Sequence, residues 1–404
     1  VSDIATPPPP AGNPWKTRLP ILMLAHVVGT LHITTLVVMA PVIKQDLSLS
    51  FAEFGFVVTA YSIGQITGSL PAGHLADRIG VGWALVLAHA LLVVGALMLT
   101  QTTGMALAFT AMVVTGWGYS IVNPATAKGV FESFPPARRG TAMGIKQTGV
   151  PIGGVISATL GAFATAGAWH WITVAVAVMT VVGSLACLFI VEKPRPRLAT
   201  ASKSRFGTLG EVMKDLNFGR FVLSNMMHNV GQQNFFSYLT LFVREAAQVS
   251  QEFAGLCYGI AQTASVIGRL GWGAISDFLF KGRRKGLTVA IGICSVVFLA
   301  AMAAIEPRTG MPLAIALSAL LGVTIASYAP LMQTMAVEAV QPRLAGSATG
   351  YTLVGTYVGS IAGPPLFGWV VDITGLFDSG WYLCAGLVAL GVVMLTFGFR
   401  ERGL

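Results

Sequence analysis

Charged side chains are what this sequence has least of. Asp, Glu, Lys and Arg make up only 10% of its 404 residues, against about 25% in a soluble domain. With 54% hydrophobic residues and a mean hydropathy of +0.73, that scarcity excludes a soluble globular fold. Cysteine is scarce too. Cys187, Cys257, Cys294 and Cys384 fall inside apolar runs without metal-ligand spacing, so they read as small buried hydrophobes, not as a disulfide framework or a metal site. No nucleotide-binding loop, nucleophile constellation or ligand cluster occurs, which excludes an enzyme and leaves no expected cofactor. Acids are scarcer than bases, 16 against 25. The resulting net charge of +9 does not point to nucleic acid, because the bases recur from loop to loop and form no single patch.

What the chain has is apolar length. Runs of about 20 residues, enough to cross a hydrocarbon core of roughly 30 Å, recur along it, and so continuous a pattern satisfies its backbone in lipid only as helix. They lie at about 18–41, 54–74, 82–101, 105–127, 140–165 and 169–191, then 220–243, 253–276, 286–305, 311–337, 346–371 and 380–399. The polar stretch 192–219, with Lys193, Arg195, Arg197, Lys203, Arg205 and Lys214, reads as a cytoplasmic linker. Residues 1–17, with Pro7 to Pro10 consecutive, read as a disordered cytoplasmic tail, not a cleavable signal peptide, and 400–404 as a second short tail. If the first segment enters from inside, twenty Lys and Arg fall on the cytoplasmic side and only Lys44, Arg244 and Arg308 outside. That bias places both termini in the cytoplasm.

The two halves repeat each other. Gly73-His74-Leu75-Ala76-Asp77-Arg78-Ile79-Gly80 separates the second and third segments, and Gly273-Ala274-Ile275-Ser276-Asp277 recurs 200 residues later, with Lys281, Arg283, Arg284 and Lys285 beyond it. Pro124, Glu132, Pro136, Gly140, Ala142 and Gly144 return at an offset of 206 as Pro330, Glu338, Pro342, Gly346, Ala348 and Gly350. The Gly-x-x-x-Asp frame at both junctions resembles the signature loop of the major facilitator superfamily of transporters, and the resemblance covers about Arg18 to Phe399. It implies an all-α membrane protein of twelve transmembrane helices in two pseudo-symmetric six-helix bundles, 18–191 and 220–399. Such bundles rock about a site near the midplane. The resemblance also implies a cytoplasmic latch, with Asp77, Arg78, Asp277, Arg283 and Arg284 as gating residues, joined by Glu132 and Glu338. The first copy departs from the family pattern at Val81 and Gly82, which replace the usual basic pair.

Two cations fall within apolar segments, Lys146 in the fifth and Arg269 in the eighth. Intramembrane charge is costly and marks function by default. Arg269 ends a stripe with Tyr258, Gln262 and Ser265, spaced for one helix face. The second segment offers Val58, Ser62, Gln65 and Ser69 at the equivalent places, so the polar face is duplicated but the arginine is not. Gly268-Arg269-Leu270-Gly271-Trp272-Gly273 resembles the eighth helix of oxalate and monocarboxylate carriers, whose arginine binds the substrate carboxylate. Every Asp and Glu falls in a tail, a loop or at a helix end, so the expected counter-ion of Lys146 and Arg269 is an anionic substrate. Asn229 and Gln233 join the expected binding set, with Asn123, Gln147 and Tyr119 as weaker candidates that interhelical hydrogen bonding would equally explain. His26 and His228, at equivalent positions of the first and seventh segments, and His32 are the candidates for proton coupling.

The expected function is a secondary carrier in the cell inner membrane for a small organic anion, a carboxylate by preference. It would work by alternating access as a proton symporter or anion exchanger, and as a monomer in the bilayer. The alternative is an efflux pump for hydrophobic drugs, supported by aromatic content and by the Gly149-Val150-Pro151-Ile152-Gly153-Gly154 run, which equally serves close helix packing. A sensor would need a signalling domain beyond these segments. Nitrate is disfavoured because Ser69 stands where such carriers place a second arginine.

Overall fold

The computed structural model describes residues 13–191, 205–280, 283–306 and 310–401. Among the described residues all regular structure is helical. The first half holds α1 (Arg18–Val38), α2 (Ala40–Asp46), α3 (Phe51–Ile79), α4 (Val81–Thr100), α5 (Met105–Ser133), α6 (Pro136–Gln147), α7 (Gly149–Gly161) and α8 (Trp169–Leu188). After α9 (Arg205–Lys214), the second half holds α10 (Leu216–Ala246), α11 (Gln251–Phe278), α12 (Arg284–Ala301), α13 (Gly310–Val323), α14 (Ala329–Glu338), α15 (Ala345–Thr374) and α16 (Phe377–Val393), which runs into a π turn. With α2, α6/α7 and α13/α14 each counted within one span, these make twelve transmembrane segments in two halves. Among the described residues, six helices are by themselves long and apolar enough to cross a membrane, or seven with the bent α2–α3 pair. The rest fall short because a break interrupts them or because they carry polar and small residues on one face.

The repeat is visible in the backbone as well as in composition. Ser48 and Gln248 both adopt φ 51°, and each precedes a capped helix. Ser50 Oγ accepts from the Glu53 amide at 3.1 Å while the Ser50 amide donates to Glu53 Oε2 at 2.8 Å. Ser250 Oγ accepts from the Phe253 amide at 3.3 Å. Caps of this type are worth about 1 kcal/mol each and fix where α3 and α11 begin.

Several boundaries differ from the sequence expectation. The Gly73–Gly80 motif is not a loop: α3 continues through it to Ile79, and only Gly80, at φ 81°, makes the turn into α4. Nothing after Pro71 breaks that helix, and Asp77 therefore projects from a helical end. Its counterpart, 273–277, lies likewise inside α11. The expected linker 192–219 contains α9, whose Val212 is buried and whose Glu211 meets Arg343 at 2.6 Å, and α10 begins already at Leu216. Residues 192–204 and the tail 1–12 lie outside the described residues, as do Lys281 and Arg308. Residues 13–17 of the tail are ordered in a turn, with Trp15 packed edge-on against Phe134 at 4.8 Å.

α3 packs on α5 within its half and on α15 across the interface; α1 packs on α7, and α7 on α11. Close crossings rest on small residues: a Cβ on Gly64 would sit 2.2 Å from Val113 O, and one on Gly116 2.2 Å from Tyr61 O. At the end carrying Ser50, side chains sew the halves together. Asp372 accepts from the Phe51 and Ala52 amides at 2.9 and 2.8 Å, completing the N-terminus of α3 from α15. Tyr238 donates its hydroxyl to Phe51 O, Thr59 to Ile361 O, Thr240 to Val37 O, and Gln251 to Val38 O and Gly161 O. At the opposite end a Cβ on Gly140, Gly144, Gly346 or Gly350 would meet open space. There Lys128 holds Asp77 at 3.0 Å and Glu132 at 3.8 Å within the first half, and Arg284 holds Asp277 at 2.9 Å and Glu338 at 3.0 Å within the second. Arg78 and Arg283 are exposed at that same end. Side chains thus join the halves at one end, the closed one, while these ion pairs at the other, the open end, lie within a half.

Candidate functional site

The site begins with a break. Pro330 cannot donate to the carbonyl four residues back, which is Ala326. Over Thr324–Tyr328 the span between α13 and α14 unwinds, and carbonyls turn outward. Side chains from other helices fill them. Arg269 Nη2 donates to Ala326 O at 3.3 Å, Gln232 Nε2 to Ile325 O at 3.2 Å, and Trp272 Nε1 to Val323 O. Arg269 is therefore anchored on backbone, not on an acid. Its Nε is buried without a partner, and no carboxylate pairs with it among the described residues. A guanidinium at mid-helix costs about 2.5–3.5 kcal/mol on insertion scales, a cost that carbonyl dipoles offset only in part.

Neutral polar groups and aromatic rings surround it. The phenols of Tyr119, from the first half, and Tyr328, from the break, lie close enough to feel its charge. Tyr61 stacks obliquely on Tyr119 with centroids 5.8 Å apart, and the Tyr357 phenol is within electrostatic reach of both. Asn229 accepts from Ser360 at 2.8 Å and lies beside Tyr328. Along α11, Gln262 donates to the Tyr258 hydroxyl at 3.1 Å, and Ser265 donates to Gln262 O. A Cβ on Gly154 would sit 2.6 Å from the Gln262 side chain, so that glycine lets α7 approach α11. Gln233 is half-buried on α10.

Lys146 lies elsewhere. Its side chain is wholly buried in the first half, where Nζ donates to Asn123 Oδ1 and Thr126 Oγ1, both at 3.0 Å. Its hydrogen bonds go to these two side chains and not to the surroundings of Arg269; Asn123 and Gln147 are both exposed. His26 Nε2 shares Thr126 Oγ1 at 2.8 Å, and its ring meets Tyr119 edge-on at 6.4 Å. Tyr119 is thus the link between the lysine cluster and the arginine.

The other two histidines sit within their own halves. His32 Nε2 bonds Thr180 Oγ1 of α8 at 2.9 Å. His228 Nδ1 bonds Ser224 O at 2.8 Å, and its ring points toward Gly292 and Gly391 of α12 and α16. Equivalent sequence positions have therefore not produced equivalent partners. Thr126, Tyr328, Tyr61, Tyr357 and Ser360 were not found by sequence reasoning. Pro330 was the available signal for Tyr328, since the carbonyl it frees lies two residues from that ring.

The sequence pattern of the Major Facilitator Superfamily matches residues 22–309 and 221–403. The chain is 26% identical over 399 residues to the hexuronate transporter of Bacillus subtilis (strain 168), covering 92% of each protein. It is 24% identical over 409 residues to the "Probable sulfoacetate transporter SauU" of Cupriavidus necator, covering 95% of this chain and 94% of that one. Its fold is similar to the crystal structure of a mutant nucleoside transporter NupG, with a TM-score of 0.81 at 16% identity, over 95% of this chain and 100% of that one.

Proposed function

The chain belongs to the major facilitator superfamily, a family of multi-pass membrane transporters and not of enzymes, and from that premise we propose that it carries a small organic acid as its anion. Transport is by alternating access, as a proton symporter or an anion exchanger, in the cell inner membrane. One observation carries the reading: Arg269 is an intramembrane guanidinium anchored on one backbone carbonyl, with no acid among the described residues to neutralise it and neutral hydrogen-bonding groups around it. A carboxylate satisfies what the protein leaves open, accepting two parallel N–H···O hydrogen bonds from the guanidinium. The hydroxyls and amides of Tyr119, Tyr328, Asn229 and Gln262 suit a hydroxylated acid better than a bare hydrocarbon one. The hexuronate relative supports that substrate chemistry, and the sulfoacetate relative supports an anionic group in general. The oxalate-carrier likeness of Gly268–Gly273 points the same way.

In this reading the bundles are 18–191 and 220–399, the basic end is cytoplasmic, and both termini lie there. The open end is then the inward face. Asp77, Arg78, Asp277, Arg283, Arg284, Glu132 and Glu338 rearrange when it closes. Lys146 supports the anion by its charge from behind Asn123, not by contact.

The test is a thermal-shift screen of purified protein against D-glucuronate, D-galacturonate, sulfoacetate, oxalate and lactate, followed by counterflow in proteoliposomes. A ligand that binds only the native state raises its stability. A carboxylate that stabilises wild type but not Arg269→Ala supports the reading; stabilisation of both alike removes Arg269 from the site. Wild type that answers none of the anions and exchanges none sinks it.

A further inference from the structure

Of the two intramembrane cations, only one can exchange its charge. Arginine keeps its proton at any accessible pH, whereas lysine can hold or release one. Lys146 is wholly buried, pairs with no carboxylate among the described residues, and faces two neutral acceptors, Asn123 Oδ1 and Thr126 Oγ1, at 3.0 Å each. Two acceptors match the two N–H groups of a neutral amine. An ammonium in the same place has a third N–H, for which the described residues supply no partner. From this, and resting on the anion-carrier reading above, we propose that Lys146 is the binding site of the proton that travels with the anion.

The surroundings are built for a single exchangeable charge. The Thr126 hydroxyl donates to Val122 O at 2.7 Å, so its oxygen receives both Lys146 and His26, and His26 therefore donates from Nε2. His26 Nδ1 is left bare and buried. His26 is a positioning residue: as a neutral ring it orients the Thr126 oxygen, and because like charges sharing one hydroxyl repel, the ring and the amine do not both carry a positive charge. The helices packed on α6 are α1, α5 and α7. α1 contributes His26, with Arg18 at its far end; α5 contributes Tyr119 beside His26, with Lys128 and Glu132 further out, where Lys128 is held by Asp77. α7 contributes no titratable group. On α6 itself Arg138 and Arg139 lie toward the open end, and Arg139 caps Phe131 O and Phe134 O.

Access and coupling follow from the same geometry. Asn123 is exposed and touches Lys146 directly, so a proton reaches the amine from the open end through one amide's width. An anion on Arg269 favours the protonated lysine, and by reciprocity the protonated lysine favours the anion. The pair crosses without net charge.

The experiment uses the full chain in proteoliposomes with D-glucuronate, or whichever acid of the panel gives counterflow. An inward acid gradient of one pH unit should drive accumulation up to about tenfold with one proton per anion. Binding titrations in two buffers of different ionisation enthalpy should show proton uptake on binding. Lys146→Arg, with a charge that does not titrate, should exchange anion more slowly, accumulate none against a gradient and take up no proton; Lys146→Gln should likewise take up none. His26→Gln should displace the pH midpoint while keeping gradient-driven uptake. Gradient-driven accumulation that survives in Lys146→Arg overturns the assignment. So does wild type that exchanges anion without proton uptake, which leaves the carrier reading intact as an exchanger. Absence of exchange in wild type across the panel overturns the carrier reading itself.

Discussion

Arg269 occupies the carbonyl that Pro330 leaves vacant. Proline at 330 has no N–H for Ala326 O, and Arg269 Nη2 donates to it at 3.3 Å from a different helix. The residue that breaks one span thereby fixes the orientation of the cation on its neighbour. In Pro330→Ala the restored N–H competes for Ala326 O and loosens the guanidinium. Anion affinity should fall by about tenfold, the value of one hydrogen bond to a charged group, while the thermal midpoint does not fall. Affinity equal to wild type in a binding titration would show the anchor to be irrelevant.

Arg269 itself should be more sensitive. Arg269→Ala should lose roughly tenfold to a hundredfold in anion affinity. Arg269→Lys should not recover it, because an ammonium cannot reproduce the two-bond fork. Recovery by lysine, read from the same titration, would mean that charge alone is recognised.

At the closed end Asp372 completes the first turn of α3 across the interface. Removing that charge costs about 0.3–1 kcal/mol of helix-end stabilisation, in addition to the two hydrogen bonds. Asp372→Ala should therefore shift the population several-fold toward the state open at that end. A cysteine reporter at Gln45, which is exposed beside this seam, should label faster in the variant; an unchanged rate would assign the seal to the other contacts.

The linker helix α9 should respond to acid. Hydrogen bonding to Arg343 holds the Glu211 carboxyl below its ordinary range. A depressed acid contributes its docking above the unperturbed value of about 4.3 and loses it as pH falls through the depressed one. Docking of α9 should thus be constant from neutral pH down to about 5 and weaken below about 4, and it should weaken with salt, since both partners are exposed. Hydrogen exchange of Glu211–Lys214 reads this directly. Glu211→Gln should show the loosened pattern at every pH.

The twelve spans and their repetition were legible in the sequence because lipid imposes one solution on continuous apolar runs. The stripe Tyr258, Gln262, Ser265, Arg269 was legible because helical spacing is local. The Gly73–Gly80 motif misled, since the resemblance implied a loop there, yet the helical hydrogen bonds of α3 continue to the Gly80 amide, which donates to Ala76 O. Lys146 was visible as a buried charge, but its partners were not: Asn123 and Thr126 approach from another helix, and periodicity carries no information about which face meets which. The pairing of His26 with His228 illustrates the limit, because repeated positions inherit the backbone but not the neighbours.

Every bond across the closed seam described above has at least one end on main chain: Phe51, Ala52, Val37, Val38, Gly161 and Ile361 all contribute only backbone atoms. A seam of that kind recognises where the opposing backbone runs and is indifferent to which side chains it bears. Substitutions at Phe51, Ala52, Val37, Val38 or Ile361 therefore leave the atoms that the seam grips in place.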